Sequence, residues 1–421
     1  MSYQYEARTT PESQEASSYA MRGTFGFEFE LLIPFTACDS YEAIRKPNSA
    51  KKAVVRKDQL GITLKLDEQS KMNAFIPASF LRQENAFKKT PVKVAWVGEN
   101  MTIPEVVTDV MNCQLSQEEL SQRLGAIAAW AQTLVSSAAA SRKSLAEIDR
   151  ELKPVADVNQ AEVDSLANLY LGPIEHPAGV NPAIVAQGKK AVETITASAY
   201  VHQTYALPLH KVLTEFRHLA GQCKGQETFA SALNKAADPG PVNKALTTLD
   251  LPEERATTQL GGFFALLRYY AIALSDKNLA GGLGKNHPAL LLFYKTSLAN
   301  IRAKFAKDYP SLTSQVDLAL RDINKRSAAL TALATDVGDP AWKGYLNGLV
   351  DGTGGDHVID KFKNEYSGEL FPGDDALGVV VENRRLAEIA PPADGKRYAP
   401  PEWPGLAEAL RQRLSGYWSA Q

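Results

Sequence analysis

Gly26-Phe27-Glu28-Phe29-Glu30-Leu31-Leu32-Ile33 alternates acidic and apolar residues. That is the period of a β-strand with two unlike faces. Glu28 and Glu30 then project to one side, and Phe27, Phe29 and Leu31 to the other. Residues two apart on a strand stand about 7 Å from each other on one face, so the two carboxylates repel unless a cation sits between them. Large apolar neighbours raise that cost. A divalent metal is the economical way to hold such a pair, and oxygen-only ligands point to Mg2+ or Mn2+. The competing reading is an edge strand whose outer face carries two solvated glutamates.

The chain has 421 residues, enough for one large domain or two ordinary ones. Hydrophobic residues make up 44% and charged residues 22%, an ordinary globular composition. A net charge of −2 gives no electrostatic case for nucleic acid or an anionic membrane as the main partner. Cys38, Cys113 and Cys223 are odd in number and widely spaced. They form neither a zinc pattern nor a disulfide framework, and fit reduced thiols in a cytosol. The stretch from Met1 to Ala20 is polar, has no apolar signal-peptide core and reads as a disordered leader. The most apolar run, Leu260 to Leu274, contains Arg268 and is too short to span a bilayer. The expected location is the cytoplasm, or a target cytosol reached without a cleavable signal.

Local signals then order the chain. Ser40 to Lys57 is basic and polar and reads as a loop, while Gly61 to Asp67 alternates and reads as a second strand. Val92 to Val97 is a third candidate strand, and Ile103 to Asp109 is β-rich with Glu105 among apolar neighbours. Ser116 and Glu119 form a capping box that opens a helix, continued by Leu120, Leu124, Ile127, Ala128 and Leu134. A second helix is expected from about Ser141 to Leu152, stopping before Pro154, with a loop-like stretch to Lys190. Ala197 to Tyr205 reads as a strand and leads to a helix from His210 to Gln222. A helical insert covers about 227–340, interrupted by the loop Gly281 to Pro288. Asp351 to Asp356 is a second glycine-rich loop, Gly378 to Leu386 a late strand, and the chain closes on a helix. With no internal repeat and no sharp composition break, residues 21–421 read as one α+β domain in which strands from both ends share one sheet.

Several positions carry chemistry. Glu382 and Arg384 stand two apart and share a face of the late strand. A glutamate can hold a cation there while the guanidinium neutralises a phosphoryl group; a plain ion pair uses the same two residues. Glu105 is a third candidate metal ligand or a solvated strand residue. His202, in the polar triplet His202-Gln203-Thr204, is a candidate ligand or nucleotide contact, or a satisfied core histidine. Gly281 to Lys285 lacks the spacing of a phosphate-binding loop. No nucleophile elbow and no zinc-protease helix occurs.

Together these pieces resemble the glutamine-synthetase-like carboxylate–amine ligases, the superfamily of the glutamate–cysteine ligases, the amidoligases and the actin cross-linking toxin domains. Gly26-Phe27-Glu28-Phe29-Glu30 looks like the opening G-x-E-x-E strand, and Pro104-Glu105-Val106-Val107-Thr108 like the strand that supplies another acid. Val201-His202-Gln203-Thr204 looks like the strand that places a His or Gln near metal and nucleotide. Lys295-Thr296 looks like the basic-Thr element of the amidoligase branch, and Glu382-Asn383-Arg384 like the closing E-x-R strand. The matches run in family order, although no histidine pair occupies the middle strand and the helical insert is long.

The resemblance implies a curved antiparallel sheet of glutamine-synthetase type whose concave face binds ATP with Mg2+ or Mn2+. A substrate carboxylate would become an acyl phosphate, and an amine would displace the phosphate to give an amide or isopeptide bond. Glu28, Glu30, Glu105 and Glu382 are then the implied metal ligands. His202, Gln203, Lys295 and Arg384 are implied in nucleotide binding, and Arg384 and Glu382 in catalysis. The partners are a carboxylate and an amine, either as small molecules or as side chains of a protein modified by an effector. A phosphotransferase on the same scaffold and a non-catalytic interaction protein are the alternatives.

Overall fold

The computed structural model describes residues 23–31, 35–37, 53–66, 101–102, 104–140, 143–154, 169–171, 197–222, 227–251, 258–275, 318, 320–337, 378–383 and 397–418. In chain order the strands are β1 (Thr24–Leu31), β2 (Phe35–Ala37), β3 (Ala53–Lys57), β4 (Ile62–Leu66), β5 (Met101–Thr102) and β6 (Pro104–Thr108). They continue with β7 (Met111–Asn112), β8 (Lys143–Ser144), β9 (Lys153–Pro154), β10 (Leu169–Leu171), β11 (Ala199–Pro208) and β12 (Gly378–Asn383). The larger sheet runs β12-β11-β1-β6-β4-β3-β9, with β7 also on β1, and it does not close. A second sheet runs β5-β2-β10-β8. Every pairing among the described residues is antiparallel, so the architecture is mixed helix and antiparallel sheet.

β1 decides the arrangement because it lies in the interior of the larger sheet, between β11 and β6. It is therefore no edge strand, and the reading of Glu28 and Glu30 as solvated edge residues falls. Its apolar face is a row of Phe25, Phe27, Phe29 and Leu31, each at most 1% exposed. Phe27 stacks on Phe29 at 5.6 Å between ring centroids, and Phe29 stacks on Trp403 at 4.1 Å. Burying each phenylalanine contributes roughly 1.5–3 kcal/mol. Trp403 opens the terminal helix Trp403–Trp418, which packs on the helix Gln117–Ala140. The phenylalanine face is thus the core face, and the acidic face is left for the site.

The helices in chain order are α1 (Gln117–Ala140), α2 (Leu145–Ile148), α3 (Val212–Gln222), α4 (Glu227–Ala236), α5 (Pro239–Thr248), α6 (Gln259–Ser275), α7 (Ile323–Leu333) and α8 (Trp403–Trp418). α1 starts as its capping box predicts. Glu119 N donates to Ser116 Oγ at 3.1 Å, and Ser116 N donates to Glu119 Oε2 at 2.9 Å. Among the described residues no helix is long and apolar enough to cross a membrane.

Four expectations are corrected. Ala53–Lys57 is a strand rather than a loop, because its basic residues are neutralised by acids far along the chain. Arg56 makes a two-pronged bond to Asp109 at 2.7 and 2.5 Å, and Lys57 Nζ donates to Asp149 at 2.7 Å and Glu151 at 2.8 Å. A short 3-10 turn, Asp58–Leu60, and Gly61 at φ +58° return the chain into β4, a left-handed position that glycine occupies without strain. The helix expected over Ser141 to Leu152 shrinks to α2. Asp149 ends it by accepting from Glu151 N at 3.0 Å while also binding Lys57 and the Trp130 indole N–H at 2.7 Å. Burial alone would raise the Asp149 carboxyl, but these donors outweigh it and hold it below the ordinary carboxylate range. Leu169–Leu171, inside the expected loop, is a strand, and it belongs to a second sheet that the expectation of one sheet did not include. The polar leader, the candidate strand at 92–97 and the two glycine-rich loops lie outside the described residues.

One close approach ties the helices to the sheet. α6 crosses the 3-10 turn Leu209–Lys211 that follows β11, and a Cβ on Gly262 would lie 1.8 Å from the Leu209 carbonyl oxygen. Gly262→Ala gains roughly 1 kcal/mol of helix propensity but forces backbone apart, an overpacking cost of about 3 kcal/mol or more. The expected result is a lower urea midpoint for Gly262→Ala, and an unchanged or higher one for Gly125→Ala, where the added carbon meets nothing within 4 Å. Equal midpoints would show that α6 does not sit this close.

Candidate metal centre

Register places the acidic residues on adjacent strands. Glu28 on β1 lies between His202 on β11 and Val107 on β6, and Glu30 lies between Tyr200 and Glu105. Cross-strand partners share a face, so Glu28, Glu30, Glu105, His202 and Tyr200 gather on the side opposite the phenylalanine row. Burial there is deep: Glu105 is 1% exposed, Glu30 3% and His202 6%. Ligand atoms of Glu28, Glu105 and His202 all lie within 4.8 Å of one another. Two carboxylates and an imidazole at that spacing form a donor set for a divalent cation.

The histidine is oriented from both sides. Its Nε2 stands 3.4 Å from Glu30 Oε1, and its Nδ1 stands 3.5 Å from Glu28 Oε2. Nδ1 is buried and makes no hydrogen bond among the described residues. A buried imidazole nitrogen without a hydrogen bond is costly unless something else uses its lone pair. A metal ion held with Glu28 and Glu105 would use it, while a proton on Nε2 faced Glu30. Such a carboxylate behind a metal-binding histidine orients the ring. On these observations the residues present fit a divalent ion. Glu30, also expected to be a ligand, stands with its Oε1 3.4 Å from His202 Nε2.

A second buried atom on this face also lacks a partner. Thr204 Oγ1 makes no hydrogen bond among the described residues, and Thr204 is the register partner of both Gly26 and Glu382. Glu382 therefore takes a register position one strand out from Thr204. Gln203 is not brought into the cluster: strand alternation sends it to the other face, with Phe27 across from it. Arg384 and Lys295 lie outside the described residues. Reading β11 with the period applied to β1 would have set Tyr200 and Thr204 beside His202 and left Gln203 out.

The strand that carries His202 is braced from behind. Tyr205 on the core face donates to Glu215 of α3 at 2.5 Å, and Tyr417 of α8 donates to the other oxygen at 2.8 Å. Arg413 reaches Glu215 at 3.3 Å and lies over the Tyr205 ring at 5.1 Å. Burial and the adjacent Glu215 push the Tyr205 phenol well above its ordinary value, so it stays a donor. Asn383, next to Glu382, donates to Gln222 of α3 at 3.4 Å, which ties the end of β12 to the same helix.

No protein-family model matches this sequence, and no curated protein matches it. Two solved structures are similar. One is a Vibrio cholerae toxin from the MARTX/VgrG family, with 13% identity, a TM-score of 0.44, and coverage of 86% of this chain and 93% of that chain. The other is the ACD domain of a VgrG Vibrio cholerae toxin, a glutamate-to-glutamine mutant in complex with ADP and Mn++. It shows 13% identity, a TM-score of 0.38, and coverage of 86% of this chain and 94% of that chain. At this identity and these scores, the site is read from its own side chains alone.

Proposed function

We propose that the chain is an ATP-dependent ligase that joins a carboxylate to an amine, with Mg2+ or Mn2+ held by Glu28, Glu105 and His202. The observation that carries the reading is the buried Nδ1 of His202, without a hydrogen bond among the described residues and 3.5 Å from Glu28 Oε2, in a group where ligand atoms of Glu28, Glu105 and His202 lie within 4.8 Å of one another. The order of the G-x-E-x-E, P-E-V-V-T and H-Q-T segments along the chain supports the same superfamily.

When bound, the metal draws charge off the phosphoryl oxygens and so eases transfer of the γ-phosphoryl group. The protein's part is to orient. Glu28 and Glu105 fix the position of the positive charge, Glu30 sets the ring of His202, and the Tyr205–Glu215–Tyr417 brace keeps β11 in register with β1. Glu382, at its register position beside Thr204, is a further ligand, with Arg384 offsetting the transferring charge and Lys295 a nucleotide contact. The substrate carboxylate oxygen attacks the γ-phosphorus and ADP leaves. The amine nitrogen then attacks the acyl carbon, phosphate leaves, and the amine gives up a proton. The acid and amine are small molecules or protein side chains.

The test is release of ADP and free phosphate from ATP in Mg2+ or Mn2+, with and without cell extract as a source of acceptors. A ligase releases both in equal amounts, stimulated by extract, and leaves a joined product visible by mass spectrometry. ADP without free phosphate would move the reading to a phosphotransferase. Silence in all conditions, together with no thermal stabilisation by Mn2+ and ADP, would leave an interaction protein.

A further inference from the structure

We infer that Arg397 is the oxyanion-binding end of this site, receiving a phosphoryl or carboxylate group of the substrates beside the acidic cluster. The inference rests on the metal-dependent reading above, and it assigns a residue that the sequence motifs do not reach.

The segment before α8 is pinned to the sheet. Tyr398 and Ala199 exchange both backbone hydrogen bonds at 3.0 Å, forming an antiparallel bridge on the side of β11 away from β1. Tyr398 is 4% exposed, and its carbonyl also accepts from the Trp403 indole at 3.0 Å. With Ala199 opposite Tyr398, the next pair in register is Tyr200 opposite Arg397. The side chains agree: the Arg397 guanidinium lies over the Tyr200 ring, 5.5 Å from its centroid. Tyr200 is in turn the partner of Glu30, and Glu30 of Glu105. A single row therefore crosses the sheet through the register positions Lys65, Glu105, Glu30, Tyr200 and Arg397, with the two acids in its middle and Arg397 at the β11 side.

Strands are about 4.8 Å apart, so Arg397 stands about 10 Å from Glu30 along this row. A metal-bound phosphate chain, or a carboxylate approaching it, spans a distance of that order. The contact with the Tyr200 ring steadies the guanidinium without using its N–H groups, and those N–H groups are the donors with which arginine takes a carboxylate or phosphoryl group by two parallel bonds. Arg397 makes no ion pair or hydrogen bond among the described residues. The half-buried position on a fixed backbone means little ordering is left for the ligand to impose.

The experiment compares wild type, Arg397→Met, Arg397→Lys and Tyr200→Leu in the full chain. Mn2+ binding is read by the loss of the free-ion paramagnetic signal, and ADP and succinate binding by calorimetry in saturating Mn2+. Arg397→Met is expected to keep wild-type Mn2+ affinity and lose at least about 10-fold in one anion, a loss on the scale of a charge-assisted bidentate bond. Loss for ADP identifies a phosphoryl group, and loss for succinate a carboxylate. Arg397→Lys recovers only part, and Tyr200→Leu weakens the same anion without touching the guanidinium. Retained Mn2+ binding with both anion affinities unchanged in Arg397→Met overturns the assignment of Arg397 alone. Absence of Mn2+ binding in the wild type overturns the metal reading, and this inference with it.

Discussion

Glu28→Gln and Glu105→Gln are each expected to lower metal-dependent ADP formation by about 10³-fold or more, while Glu30→Gln costs only about 10–100-fold. Sequence alone ranks Glu28 and Glu30 together as an alternating pair. The proposed site separates them: ligand atoms of Glu28, Glu105 and His202 lie within 4.8 Å of one another, while Glu30 Oε1 stands 3.4 Å from His202 Nε2. An amide oxygen in place of a carboxylate keeps the volume but surrenders the charge that binds the ion, so the ligand substitutions strike affinity and turnover directly. Glu30→Gln still offers an acceptor to the Nε2 proton, so the ring keeps most of its orientation. His202→Ala removes a ligand and belongs with the first group. Circular dichroism and the metal-free melting transition should stay close to wild type in all four, which separates loss of the site from loss of the fold. Equal effects for Glu30 and Glu28 would return Glu30 to the ligands, and unchanged activity in Glu28→Gln and Glu105→Gln would remove the site.

What could be seen in advance follows from how local each signal is. The alternation of β1 was legible because acid and phenylalanine differ so strongly that a period of two is visible in eight residues. The capping box at Ser116 and Glu119 was legible because both partners lie within four residues of each other. β3 was not, because Arg56 and Lys57 look like loop residues until Asp109 and Asp149, 53 and 92 positions onward, are folded against them. The candidate site was half legible. Glu28, Glu105 and His202 come from three segments whose chemistry is conspicuous one by one, but the division of labour around His202 depends on cross-strand register. Arg397 was hidden for the same reason: it lies in a proline-rich link, and only the bridge to Ala199 gives it a place.

Arg268 carries the second large effect. In sequence it is a lone charge in the most apolar run of the chain, and in the fold it is 1% exposed within α6. Its Nη1 donates to the carbonyls of Leu333 at 2.6 Å and Thr335 at 2.9 Å, and its Nε to that of Lys235 at 3.0 Å. Those carbonyls close α4 and α7, whose last turns leave acceptors that no helical N–H can reach. One guanidinium thus satisfies two helix ends and meets the negative poles of both. Burial draws it below its ordinary value, with Asp238 and Asp336 opposing, and an arginine keeps its proton under such a shift. Arg268→Met preserves the apolar stem and strands the buried Leu333 carbonyl, while the part-buried carbonyls of Thr335 and Lys235 lose a donor that water, and for Lys235 the Asp238 N–H, replaces in part. The loss is roughly 2–4 kcal/mol in all. Against a total stability of about 5–15 kcal/mol, that is enough to lower the urea midpoint markedly. Arg268→Lys supplies a single point of charge in place of the fork and is expected to recover part of the loss. A urea midpoint in Arg268→Met equal to wild type would mean the three carbonyls find other donors. A loss equal in Met and Lys would mean that the fork, rather than the charge, holds α4, α6 and α7 together.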